Sequence, residues 1–332
     1  MFCGNCLFDE ATGNDGLDAG SGNAMKRHFV DLFDITPEEA RFLLDRSIAI
    51  KKEDQTGLRP PRLSGRILGL IFEKPSLRTR VSFESAIARL GGNAIFLRGK
   101  DVGIGVRESL EDFARVISQY VDALAIRTFA HSTVEALAHF ASIPVINALS
   151  DSAHPCQAMA DVLTIEEERG SVQGAKIVFV GDGNNVARSL ALASALLGAE
   201  FVLAAPSGYE FPATFRSSFE ARFPSIPLVV EHDPRAAVAE ADVVYTDVWA
   251  SMGQENEAET RREIFAPFQV NESLMKLAHP DALFLHCLPA HRGEEVSSGV
   301  LDGPQSRIIP QAANRLFFQM ALLDWLLDGV TP

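Results

Sequence analysis

The sequence predicts an α/β protein of two domains, each a mostly parallel sheet flanked by helices, with two interdomain helices linking them. Three observations carry this. Short apolar strands alternate with helical stretches in two successive series, and strands separated by helices imply βαβ units in a parallel sheet. A helical stretch, "HPCQAMADVLTIEEERG", stands between the series and places a boundary near residue 150. Polar or reactive residues follow directly on six of the strands, and ligands of open parallel sheets bind outside the carboxyl ends of the strands.

In "FDITPEEARFLLDRSIAIKKE", Thr36, Pro37 and Glu39 have the spacing of a capping box with proline at the first helical position, so a helix starts there. After the Pro60-Pro61 break, "GRILGLIF" reads as a strand. "NAIFL", "DALAIR" and "PVINA" follow as strands, with the helices "SLEDFARVISQY" and "STVEALAHFA" between them. The second series runs through the strand "AKIVFV", the helix "VARSLALASALLG", and the strands "EFVLAAP", "IPLVVE", "ADVVYTD" and "DALFLHC". Gly170 and Gly198 read as helix stops. "QAANRLFFQMALLDWLLDG" reads as an amphipathic terminal helix.

With 332 residues, 47% hydrophobic and 22% charged, the chain has the length and composition for two globular cores. No apolar run is long enough to span a bilayer, so no membrane role is expected and a cytoplasmic location follows by default. The net charge of -14 and pI near 5.0 argue against a nucleic-acid partner, which would require a basic face. They leave room for an anionic small substrate, because a few arginines reverse the field inside one cleft. Residues 1–24 contain "GNDGLDAGSGNA", have no apolar periodicity and no Lys or Arg, and read as a disordered extension rather than a targeting peptide. Cys3 and Cys6 form a CxxC without a second ligand pair nearby, and no disulfide is required among the four cysteines.

The six strand ends carry Ser76, Arg78, Thr79 and Arg80; Arg127; His154 and Gln157; Asp182, Asn184 and Asn185; Asp247, Ser251 and Met252; and His286 and Cys287. In "LIFEKPSLRTRVSFE" a buried strand runs into a helix start bearing two hydroxyls and two arginines. The free N–H groups and positive dipole end there suit an anion, and an arginine can grip a phosphate or carboxylate with two parallel hydrogen bonds. "GDGNNV" supplies two glycines of a dinucleotide fingerprint, but Val186 stands where the third belongs and no acidic residue ends "EFVLAAP". Asn184 and Asn185 therefore read as contacts to a small ligand. Asp247 is a natural partner for an ammonium group, or equally a turn residue. Cys287 could be a nucleophile, an apolar filler or a polar contact, and adjacency to His286 does not pair them, since neighbours on a strand face opposite ways. His154 has no HxxxH or carboxylate cluster around it, so no metal is expected.

Taken in order, "SLRTR", "HPCQ", "DVWASMG" and "HCLP" resemble the carbamoyltransferases, specifically the ornithine carbamoyltransferases, over about Phe29 to Leu327. The Ser-Met-Gly loop and the His-Cys-Leu-Pro turn separate these from the aspartate carbamoyltransferases. The resemblance implies that Ser76, Leu77, Arg78 and Thr79 hold the phosphate of carbamoyl phosphate, partly through backbone N–H groups. Arg127, His154 and Gln157, with Cys287, Leu288 and Arg315, would hold the carbamoyl end. Asn185, Asp247, Ser251 and Met252 would bind L-ornithine. Arg78, Arg127, His154 and Cys287 would be the catalytic set, Cys287 orienting the amine without covalent attack. The family implies a homotrimer, no metal, and no organic cofactor. Its terminal helix returns to the first domain, so 25–150 with 312–330 would bind carbamoyl phosphate and 151–311 ornithine.

Two positions depart from the family pattern. Leu77 stands where threonine is usual, keeping a backbone N–H but losing a hydroxyl. Gly103, in "KDVGIGVRES", replaces a Gln or His through which a neighbouring subunit reaches the phosphate. The intact Asp247 and Ser251-Met252-Gly253 argue against an N-acyl-ornithine or putrescine acceptor. The intact arginines and Cys287 argue against a binding protein that only senses these ligands, and Val186 against a dinucleotide-dependent oxidoreductase.

Overall fold

The structure, a computed structural model, describes residues 27–103, 107–250 and 255–329. The N-terminal stretch 1–24, Ser251 and Met252 lie outside the described residues.

The capping box forms as the spacing predicts: Thr36 Oγ1 accepts from the Glu39 N–H at 3.2 Å, and Glu39 Oε2 accepts from the Thr36 N–H at 3.0 Å. The helix they start is α1 (Pro37–Gln55). The first series follows as β1 (Ile67–Phe72), α2 (Leu77–Arg89), β2 (Asn93–Arg98), α3 (Gly99–Val102), α4 (Leu110–Ile117), β3 (Ala123–Arg127), α5 (His131–Phe140) and β4 (Val145–Leu149). Then α6 (Pro155–Arg169) leads to β5 (Lys176–Val180), α7 (Asn185–Leu197), β6 (Glu200–Ala204), α8 (Ala213–Arg222), β7 (Val229–Glu231), α9 (Pro234–Val238), β8 (Val243–Thr246), α10 (Ala258–Phe265), α11 (Glu272–Met275), β9 (Leu283–His286), α12 (Ser298–Leu301) and α13 (Ile308–Asp328).

The strands make two wholly parallel sheets, ordered β2-β1-β3-β4 and β7-β6-β5-β8-β9. Central strands are apolar throughout because both their faces are covered. Along β5, Ile177 and Phe179 face one core, while Val178 and Val180 face another formed with Val244, Phe284, Trp249 and Phe265. The first of these cores is continuous across the molecule, joining the α1/α2 face of the first sheet to the inner face of the second through α6, α7 and α13.

Three sequence readings shift. "IPLVVE" gives only the short edge strand β7, since Pro227 has no N–H for a ladder. The terminal helix begins three residues early, at Ile308, and is buried on more than one face because it is wedged among α1, α2 and α6. Its buried Gln311, Asn314, Arg315, Gln319 and Asp324 blur the stripe an amphipathic reading assumes. Gly103 caps α3 with φ +63, a left-handed backbone that favours glycine.

Candidate active site

Because both sheets are parallel, each gathers its carboxyl ends along one edge, and the two edges face each other across a cavity of about 770 Å³. All six strand ends singled out in the sequence contribute to its wall: residues 74–79 after β1, Arg127 ending β3, Leu149 ending β4 with Ser150 and Asp151 after it, Asn184 to Val186 after β5, Asp247, Val248 and Ala250 after β8, and Cys287 to Pro289 after β9. His154, at the start of α6, and Arg315, from α13, complete it.

One end is built for an anion. Ser76 is the N-cap of α2, so the free N–H groups of that helix open on the cavity. Thr79 is fully buried, and its hydroxyl accepts from Ser76 Oγ at 3.0 Å and from Arg315 Nη2 at 2.8 Å. Arg78, Arg127 and Arg315 converge on the same wall. Burial, then the Arg315 and Arg78 charges, push the Arg127 pKa down to about 10. Burial lowers that of Arg315 as well. Among the described residues, Nε of Arg127 and Nε of Arg315 have no hydrogen-bond partner. Buried cations that repel one another are costly unless something negative joins them. Arg80 serves differently: it pairs with Glu84 at 2.9 Å, and its guanidinium lies 3.7 Å over the Phe96 ring.

His154 sits beside this cluster. Its pKa is held well below the usual histidine value by burial, then by Arg315 and Arg127, so the ring is neutral. Gln157 is one turn further along α6, fully buried and behind the wall rather than in it.

The opposite end carries Asp247. Its Oδ1 accepts from the Val248 N–H at 2.8 Å and from the Cys287 thiol at 3.0 Å, and its Oδ2 from Asn184 Nδ2 at 3.1 Å. Burial, then the Asp247 charge, raise the Cys287 pKa well above its ordinary value, so the thiol keeps its proton. His286 cannot act as its base. Its Nδ1 accepts from the Leu288 N–H at 2.9 Å and its Nε2 meets Glu295 Oε1 at 3.1 Å, with both side chains fully buried. That engagement also separates Asp247, His286 and Cys287, whose ligand atoms lie within 4.8 Å of one another, from a set of free metal donors. Asn185 Nδ2 donates to the Ser150 carbonyl at 2.7 Å and lines the cavity between the two ends.

Besides Arg80 and Gln157, two further groups named from the sequence do not line the cavity. Asp182 pairs with Arg261 at 2.8 Å, and His286 serves the turn behind Cys287. The "GDGNN" turn owes its second glycine to packing: a Cβ on Gly183 would lie 2.7 Å from the Glu210–Phe211 backbone. The Asn184 carboxamide oxygen accepts from the Val186 and Ala187 N–H groups, which occupies the helix start a dinucleotide phosphate would use. Sequence reasoning missed Lys74, Phe129 and His291, which also line the cavity. Lys74, 4.0 Å over the Phe129 ring, adjoins the Ser76 turn in sequence, and that adjacency was the available signal.

A site shared by two parallel-sheet domains, with cations on one wall and a carboxylate on the other, defines a two-substrate α/β enzyme. Comparison narrows the class. The aspartate/ornithine carbamoyltransferase carbamoyl-P binding domain matches residues 27–167, and the Asp/Orn binding domain of the same family matches 173–326. An ornithine carbamoyltransferase of Anoxybacillus flavithermus is 54% identical over 303 residues, covering 91% of this chain and 96% of that one. An anabolic ornithine carbamoyltransferase of Pyrococcus furiosus is 50% identical over 315 residues, with 92% and 97% covered. A solved structure of ornithine carbamoyltransferase from Pyrococcus furiosus superposes with a TM-score of 0.89 at 50% identity, covering 92% of this chain and 98% of that one. The chain belongs to the aspartate/ornithine carbamoyltransferase family.

Proposed function

We propose that the protein transfers the carbamoyl group of carbamoyl phosphate to the δ-amine of L-ornithine, giving L-citrulline and phosphate in the direction of arginine biosynthesis. The observation that carries this is the convergence of three arginines at one end of a cleft whose other end holds Asp247. Relatives named for ornithine transfer, one of them anabolic, support the acceptor and the direction.

In this reading the Ser76–Thr79 turn and Arg78 take the phosphate, with Leu77 contributing its backbone N–H. Arg127, His154 and Arg315 take the carbamoyl oxygen, Gln157 and Leu288 its amide side. Asp247 holds the α-ammonium of ornithine, with Asn185, Ser251 and Met252 beside it. The neutral δ-nitrogen attacks the carbonyl carbon. As the tetrahedral intermediate collapses, the C–O bond to phosphate breaks and the nitrogen's proton passes to the departing phosphate. The task is to orient two substrates and to stabilise charge on the carbonyl and phosphate oxygens, for which fixed guanidinium groups and a neutral donor suffice. Cys287, protonated against Asp247, borders the reacting amine without bonding to it. Binding is sequential, with carbamoyl phosphate first and ornithine second.

The purified protein is expected to release phosphate from carbamoyl phosphate in the presence of ornithine, and far more slowly with acetylornithine, putrescine or aspartate. Preference for any of those three would overturn the acceptor assignment. We also propose a homotrimer with sites near subunit contacts, supported by Leu77, Val81 and Ile95, large apolar side chains exposed on α2 and β2, the first of them at the cavity. Light scattering should give the mass of three chains, and a monomer would refute it.

A further inference from the structure

Helix α6 carries a buried acid that the reaction does not consume. Asp161 is fully buried, and its Oδ1 accepts from two amides, Gln157 Nε2 at 2.8 Å and Gln311 Nε2 at 2.7 Å. Burial lifts the Asp161 pKa to about 7 against the pull of both amides, and the ionised form that they favour only accepts, which dictates which way both amides turn. With each nitrogen directed at Asp161, each carboxamide oxygen is the atom left for other work. The Gln311 oxygen accepts from the His286 N–H at 2.9 Å, next to Cys287 in the chain. The Gln157 oxygen has no hydrogen-bond partner among the described residues, although it is buried one turn beyond the cavity-lining His154 on α6. A buried carbonyl oxygen left open is suited to an N–H donor on a ligand.

We propose that Asp161 is a positioning residue that holds the Gln157 amide with its oxygen toward the donor substrate, so that the site selects an acyl phosphate bearing N–H over one bearing methyl. This rests on the assignment of Gln157 to the carbamoyl amide. The discrimination comes from orientation: flipped, the amide would present N–H to N–H. The same carboxylate anchors the end of β9 through Gln311, which ties the donor pocket to the strand that carries Cys287.

The test compares KM for carbamoyl phosphate with the inhibition constant of acetyl phosphate, which has the same shape and lacks the N–H groups. Asp161→Leu removes both acceptor bonds with the same branching, in a bulkier side chain. It should raise KM for carbamoyl phosphate about tenfold, the worth of one buried hydrogen bond, and leave acetyl phosphate inhibition within about twofold. Asp161→Asn keeps an acceptor oxygen at the same place and should restore selectivity to within about threefold of the parent. Should the leucine variant not fold, Asp161→Ser, whose hydroxyl is too short to reach either glutamine, serves the same comparison. Equal loss of both ligands in the variant lacking the acceptor would show a merely structural role and overturn the proposal, as would loss of selectivity in Asp161→Asn. Gln157→Met separates the two readings: unchanged selectivity there means that Gln157 does not read the carbamoyl amide, whereas lost selectivity there with none lost in Asp161→Leu refutes Asp161 alone.

Discussion

Arg78→Ala should lower kcat/KM for carbamoyl phosphate by about 10²–10³-fold while the protein keeps its fold, the cost typical of removing one donor that stabilises transition-state charge. Arg78 is the arginine to test because it is the half-buried member of the cluster, on the first turn of α2. Arg315 also supports Thr79, and Arg127 ends a central strand, so their removal mixes catalysis with packing. Two further measurements sharpen the result. Inorganic phosphate should bind more weakly to the variant by a large part of the same factor, since the group it meets is the leaving group. Arg78→Lys should recover only part of the rate, because an ammonium is a point charge without the planar fork that grips two oxygens. Near-parent turnover with a normal melting curve in Arg78→Ala would remove Arg78 from the site.

The fold and most of this site were legible because parallel sheets impose a rule: whatever follows a strand's carboxyl end lies on the functional edge. That rule placed residues as distant in sequence as Arg78 and Cys287 in one cavity before any distance was known. It could not say which side chains turn inward. Asp182 and Asn184 follow the same strand two residues apart, yet Asn184 reaches Asp247 while Asp182 is drawn off by Arg261 from a helix the sequence did not reveal. Strand geometry gives no pairing of His286 with Cys287, but the partner that engages His286, Glu295, lies beyond a turn with no pattern of its own. Arg315 needed the resemblance. Nothing in the apolar run of the terminal helix marks it, because its place depends on how that helix wedges against α2 and α6. Nothing in "HPCQAMADVLTIEEERG" marks Asp161 among its acids; its burial between two glutamines distinguishes it.

Asp247→Asn should cost about 10²–10³-fold in kcat/KM for ornithine and leave the binding of carbamoyl phosphate nearly unchanged. Two effects add. The variant loses the charge opposite an ammonium at a buried carboxylate, where such attraction is worth more than in bulk. It also puts an N–H donor into a position surrounded by donors, since the Val248 N–H, the Cys287 thiol and the Asn184 amide all point at the present carboxylate. At least one must then lose its bond or turn away. Norvaline, which keeps the α-amino acid and lacks the δ-amine, tells binding from chemistry. If Asp247 holds the α-ammonium, norvaline inhibition weakens by most of the factor seen for ornithine. Unchanged norvaline binding would move Asp247 to the δ-amine and to the chemical step. Cys287→Ser is the matching control, because a hydroxyl can still donate to Asp247. Its loss should stay within about tenfold, far below the ~10⁶-fold that removal of a covalent nucleophile can bring. Collapse of activity in Cys287→Ser, with Asp247→Asn mild, would reverse the order of importance argued from the geometry and return the thiol to the centre of the reaction.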